Sequence, residues 1–416
     1  MHHHVDPNMI FEDNRTLGDA GNKLMRIGGG IGLLGLIVSV ILALTGHWQR
    51  FQQAWLVSFT FWLAISIGAL LFVALQHLTK AGWSVVIRRM AELFGSMLPL
   101  MFVLLLPVLI PALLGNSDLF PWANSQLMHD NHHLHHKAFY YNTGFVLVRL
   151  LLYFAVWFWI SRRFLGWSLA QDKDGDNSWT GKSQRFSAPA TLLIALTLTF
   201  VAFDLLMSLD PFWFSTIFGV YFFSAGFLGF FATMIISFKW LQATGRLEHS
   251  MTVEHYHDLG KWMFAFIFFW GYIAFSQFVL IWYADIPEET RFYLHRMEGP
   301  WLTVSYGLLF LHFIIPFGGL LSRHVKRNTN ILMVWAFLVL FAHWLDMQWL
   351  VIPNTLPEVT AGAEVHQPAF FELADLTCFI AVSGLYVAGF AWMAKDKSLV
   401  PERDPFLGES LAFKNF

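Results

Sequence analysis

The sequence predicts an all-α polytopic membrane protein with ten transmembrane helices, and three observations predict it. Hydrophobic residues make up 56% of the 416 residues and charged residues only 13%, about half the charged share of an ordinary soluble domain. Aromatics reach 18%, with 44 Phe and 19 Trp, more apolar surface than a soluble fold can bury. The apolar residues also fall into ten separate runs, each close to the roughly 20 residues that cross a bilayer.

In chain order, a tail over 1–24 precedes span one at 25–45, and span two follows at 54–78 with His77 near its end. Span three, 91–114, opens on Glu92 and contains Pro99, Pro107 and Pro111; proline removes a helix hydrogen bond, so this span should kink. Span four, 139–161, encloses Arg149, and span five, 188–209, encloses Asp204. Span six is 213–238, span seven is 259–284 with Gln277, and span eight is 299–321 with His312 and Pro316. Span nine, 330–352, carries His343, Asp346 and Gln348; span ten, 371–394, carries Asp375. The tail from 395 to 416 is charged and Pro-interrupted, so it is expected to dock on a neighbour or fray.

Ten spans place both termini on one side. With the adjoining helix turns, that side holds 21 of the 26 Lys and Arg residues, and the opposite loops hold 4. By the positive-inside rule both termini are cytoplasmic. No loop is long enough for a separate catalytic domain. The longest inner connection, 162–187, carries Asp172-Lys173-Asp174-Gly175-Asp176-Asn177 but lacks the glutamate that would close a calcium loop. A net charge of −2 gives no basic surface for nucleic acid. The single cysteine, Cys378, excludes an internal disulfide, a four-cysteine iron–sulfur cluster and a CxxCH haem attachment.

Spans five and nine repeat one another. Arg185, Asp204 and Pro211 match Arg327, Asp346 and Pro353 at a constant offset of 142. Spans two and six match at an offset of 158, through Trp55/Trp213, Gly68/Gly226, Leu70/Leu228 and Phe72/Phe230. Two parallel four-helix bundles, spans 2–5 and 6–9, are therefore expected within a 25–394 membrane domain, with spans one and ten peripheral.

Charge inside a bilayer costs at least about 2.5 kcal/mol per residue, which makes each intramembrane ionisable group a functional candidate. Asp204, His343, Asp346 and Asp375 all fall in the outer half, with His312, Arg149 and Gln277 in neighbouring spans. A second group, His77 with Lys80 and Glu92, lies at the inner ends of spans two and three. Carboxylates and imidazoles can pass protons, so these residues read as two polar half-paths across an apolar middle. Against this stands a structural reading in which Arg149 neutralises an aspartate and the others pair or cap helices. His343 and Asp346, three residues apart, should share a helix face. Haem is disfavoured, because His312 and His343 differ in depth and no second histidine pair stacks with them. In the outer loop, His132 and His136 have zinc-compatible spacing within His129–His136, but without cysteine or an HExxH motif the cluster reads as a protonatable surface facing a partner.

The stretch Leu280-Ile281-Trp282-Tyr283-Ala284-Asp285-Ile286-Pro287-Glu288-Glu289-Thr290 resembles a motif of the NrfD-like, polysulfide-reductase-type membrane subunits of bacterial alternative complex III. The span-three to span-four join, Leu134-His135-His136-Lys137-Ala138-Phe139-Tyr140-Tyr141-Asn142, is similar to that of the shorter of the two paralogues. The resemblance covers nearly the whole chain. It implies a subunit of a respiratory quinol:electron-acceptor oxidoreductase in the inner membrane, not catalytic alone. It also implies partners: a homologous NrfD-like sister, an iron–sulfur protein, c-type cytochromes and small membrane anchors. No redox cofactor is implied in this chain; menaquinol or another quinol would react at the sister subunit, and haem c and iron–sulfur clusters would sit in other partners. A stand-alone secondary transporter and a structural scaffold remain the alternatives.

Overall fold

The computed structural model describes residues 13–354 and 368–415, and among them there is no β-strand. Ten helices are long and apolar enough to cross a membrane: α1 (Gly18–Leu44), α2 (Trp48–Leu78), α3 (Val85–Leu113), α4 (Thr143–Asp174), α5 (Ser178–Leu209), α6 (Phe218–Ala243), α7 (Val253–Ala284), α8 (Gly299–Gly319), α9 (Thr329–Val351) and α10 (Leu373–Ala394). Each of the ten expected spans coincides with one of them, and the protein is a polytopic all-α membrane protein. Several bounds differ from expectation; α1, α2 and α7 each begin six or seven residues earlier than expected. The connection read as 162–187 is almost wholly helical, because α4 runs on to Asp174 and α5 begins at Ser178. Gly175 in the left-handed region (φ 73°) makes the turn between them. Helix α3 starts six residues earlier than expected, and it breaks at Ser96–Met97, just ahead of Pro99.

Helices α2, α5, α6 and α9 form the centre, and the whole apolar core of α2 is buried. The internal repeat is expressed here as a contact. A Cβ on Gly68 of α2 would stand 3.1 Å from the Gly226 carbonyl of α6, and one on Gly226 would meet Ala64 of α2 at 2.8 Å. The repeat-equivalent rings Phe72 and Phe230 lie 5.3 Å apart between centres. Residues equivalent by the expected repeat thus touch each other between α2 and α6.

The outer pair, α1 and α10, cross on glycine. A Cβ on Gly32 would fall 2.6 Å from the Leu385 backbone nitrogen, and one on Gly384 would fall 2.6 Å from the Gly32 Cα. Without a hydrophobic drive in lipid, such backbone-to-backbone approach is what holds helices together. The pair packs on α2 and α3 through α10. The C-terminal tail corrects one expectation. It does not fray but packs on the chain's own helix ends, with Leu399 and Val400 fully buried.

Candidate functional site

Asp204 and Asp346, equivalent by repeat, are 1% and 0% exposed, yet their surroundings differ. In the first bundle, Arg149 of α4 reaches Asp204 through two parallel bonds, Nε at 2.9 Å and Nη2 at 2.8 Å. Tyr153 Oη donates a third at 3.0 Å. Arg149 is fixed in turn by the Tyr140 carbonyl (2.7 Å) and by the Tyr140 ring face, 3.8 Å from its guanidinium carbon. The fork geometry and the aromatic lid make this a closed, neutral pair.

Among the described residues, no cation stands in that place in the second bundle. Asp346 accepts from Tyr221 Oη of α6 at 2.5 Å and from Trp270 Nε1 of α7 at 3.2 Å. Both donors are uncharged. The Trp270 ring also lies 4.0 Å, centre to centre, from His312, which is fully buried with neither ring nitrogen hydrogen-bonded. His312 sits in a π-helical stretch of α8, Leu309–Ile314, a widened turn that recurs at functional sites. His343, one turn before Asp346, does not bond to it. Its ring packs on Phe61 of α2 at 4.9 Å, so the two residues address different neighbours. Gln277 and Gln348 are both buried nearby in sequence depth, and Gln348 has neither amide atom paired.

Asp375 belongs elsewhere. It pairs with Arg50 at the start of α2 and accepts the Glu372 backbone N–H at 2.7 Å, capping α10. Near the start of α3, Glu92 accepts from Arg89 Nε at 3.0 Å. His77 stacks on Phe164, 5.4 Å between ring centres, with Nε2 unpaired. Lys80 stands outside this group, on an exposed left-handed turn (φ 54°).

Beyond Asp346 the chain leaves a polar outer end. A cavity of about 10 Å³, lined by Asp210, Arg291, His295, Arg296 and Asn354 among others, has about the room one water needs. Arg296 donates to the Trp349 and Leu350 carbonyls at the end of α9, at 3.0 and 3.3 Å. Burial lowers its guanidinium to about 9, so it stays cationic at neutral pH and suits the helix C-terminus. A larger cavity of about 300 Å³ opens toward lipid between α7 and α8, with Tyr221, Trp270, Phe278, Tyr293 and Phe313 in its wall. Its lining is mostly apolar, with the hydroxyls of Tyr221, Tyr293, Ser305 and Tyr306 among it.

In the outer loop, His132 and His136 have ring centres 6.2 Å apart. Among the described residues no three His, Cys, Asp or Glu side chains are grouped to hold a metal. Tyr221 and Trp270 were not legible in the sequence, since neither is ionisable and both sit among many aromatics. Comparison with protein-family models finds none that matches this chain, and comparison with curated proteins finds no match.

Proposed function

We propose that this integral membrane protein is the shorter NrfD-like subunit of a bacterial quinol:electron-acceptor oxidoreductase of the alternative complex III type, and that it carries a transmembrane proton path. The observation that carries the proton reading is the unequal treatment of two equivalent aspartates. Arg149 balances Asp204 permanently. Among the described residues Asp346 has only neutral donors, so its anion would be an uncompensated buried charge. Tyr221 and Trp270 can stabilise the anion briefly once the proton leaves. That combination lets a carboxyl load and unload, which an ion-paired one cannot do cheaply.

His312 and His343 lie on the membrane-centre side of this carboxyl, and the Asp210–Arg296 end lies toward the outside. On the cytoplasmic side Glu92 and His77 form the inner half-path. Arg149 and Asp375 hold the frame, the former through Asp204 and the latter through Arg50. Gln277, buried in α7, borders the outer half-path. A chain without a redox centre must receive its drive through conformational change in an adjacent subunit, where menaquinol or another quinol is oxidised. The proposed partners are the homologous NrfD-like subunit, an iron–sulfur protein, c-type cytochromes and small anchors, in the cytoplasmic membrane with both termini inside.

Mild-detergent purification from the source membrane is the test. The expected product is an assembly containing a homologous ten-helix subunit and haem c. Recovery of the chain alone, moving a solute across liposomes, would replace this reading with a secondary transporter.

A further inference from the structure

The cytoplasmic end of α3 holds a larger ion cluster than Glu92 alone suggests. Arg88 and Arg89 are 3% and 0% exposed, and Glu92 is 2% exposed. Arg89 reaches Glu92 Oε2 at 3.0 Å, Asp172 of α4 at 2.7 Å and Ser168 Oγ at 2.9 Å. Arg88 pairs with Asp404 of the C-terminal tail. Its Nε stands 3.6 Å from Glu92 Oε1, too far for a hydrogen bond, which leaves that oxygen without a partner.

The charge count does not close. Three carboxylates (Glu92, Asp172 and Asp404) face two guanidiniums, and His77 of α2, its Nε2 unpaired, lies close enough for Arg88 to act on it electrostatically. Fully ionised with a neutral imidazole, the buried cluster would be −1, and an unmatched buried charge is expensive. One bound proton restores balance. Glu92 Oε1 is the open position for it, because the interacting carboxyl oxygens of Asp172 and Asp404 already accept hydrogen bonds.

The tail is what brings the third carboxylate. Leu399 N–H donates to the Arg15 carbonyl at 2.7 Å, and Glu402 N–H donates to Asp172 at 2.8 Å. Ser410 Oγ donates to the Trp83 carbonyl at 2.6 Å, and Asn415 N–H donates to Glu254 at 3.2 Å. The neighbouring Arg15 pairs with Glu402 at 3.0 Å. Asp404 is thus held in place by contacts on several loops and cannot withdraw to relieve the charge mismatch.

We infer that this cluster is a proton-binding site, holding one exchangeable proton on Glu92, and that the protein's own C-terminal tail completes it by supplying Asp404. The site deepens the proton-path reading and rests on it only for where the proton goes next. On binding, a proton from cytoplasmic water adds to Glu92 Oε1; on release, the same O–H bond breaks and the cluster returns to −1.

Infrared spectroscopy of the full chain in liposomes at neutral pH tests this without turnover. A buried carboxylic-acid C=O band is expected in the wild type, with a component lost in Glu92→Gln. That same component should vanish in Asp404→Asn, where two carboxylates meet two arginines and Glu92 ionises. In Arg88→Gln, with three carboxylates against one arginine, the band should grow. A Glu92 component that persists in Asp404→Asn, or one missing from the wild type, overturns the proposal. The proton-path reading fails separately, through an unchanged proton-to-electron ratio in Asp346→Asn, whatever these bands do.

Discussion

Asp204 and Asp346 show how little a repeat decides at the level of one residue. Both positions and both burials follow from the sequence, and so does the presence of Arg149 in a neighbouring span. What answers each charge does not follow, because a partner across helices has no sequence spacing. Arg149 was legible as a partner since a lone intramembrane arginine needs an anion. Tyr221 and Trp270 carried no such demand. Spacing placed His343 and Asp346 on one helix face but could not say what each meets: the two side chains leave α9 toward α2 and toward α6 with α7 respectively. Two predictions belong here. Arg149→Gln strands Asp204 and should cost about 3–5 kcal/mol of unfolding free energy in detergent; Arg149→Gln with Asp204→Asn should recover most of that loss. Asp375→Ala, which removes both the Arg50 pair and the α10 cap, should lower the thermal midpoint, whereas Asp375→Asn, which can still accept the Glu372 N–H, should lower it less. Equal stability in the single and double Arg149 variants would remove the ion-pair account.

Among elements, hydropathy located all ten spans because each is a near-continuous apolar run set by bilayer thickness. It was weakest where helices leave the bilayer. Residues 162–174 of α4 are too polar to be read as membrane yet continue the helix, since helical hydrogen bonding does not stop at the lipid boundary. The crossing of α1 and α10 was equally hidden: Gly28, Gly32 and Gly35 are informative only once Gly384 and Ala381 are known to face them. Gly384→Val should therefore push the α1–α10 pair apart and lower the detergent thermal midpoint, by about 1–3 kcal/mol in free-energy terms. Gly30, whose added Cβ would meet nothing within 4 Å, is the control, and Gly30→Val should have a much smaller effect. The tail was misread for a related reason. Its charges looked like those of a solvated segment, but Asp404 and Glu402 are spent on Arg88 and Arg15.

For the whole molecule, the charge asymmetry and the even number of spans predict an orientation, both termini inside, that labelling can check. Cys378 is buried, so single cysteines introduced in the His132 loop and the Arg246 loop report cleanly. The first should react from outside and the second only after the membrane is permeabilised; reaction of both from one face would refute the topology. The two aspartates then occupy the outer half and the Glu92 cluster the inner, with packed phenylalanines such as Phe72, Phe227, Phe230 and Phe231 between. On the proposed proton path, such a middle would stop passive leakage and require a conformational step for each proton. The central claim is that Asp346, and not its repeat partner, is the carboxyl that loads and unloads. Protons released per electron by the reconstituted complex measure it directly. Asp346→Asn should keep quinol oxidation and assembly while lowering that ratio, and the charge-balanced Arg149→Gln/Asp204→Asn variant should keep the wild-type ratio; a wild-type ratio in Asp346→Asn would contradict the account.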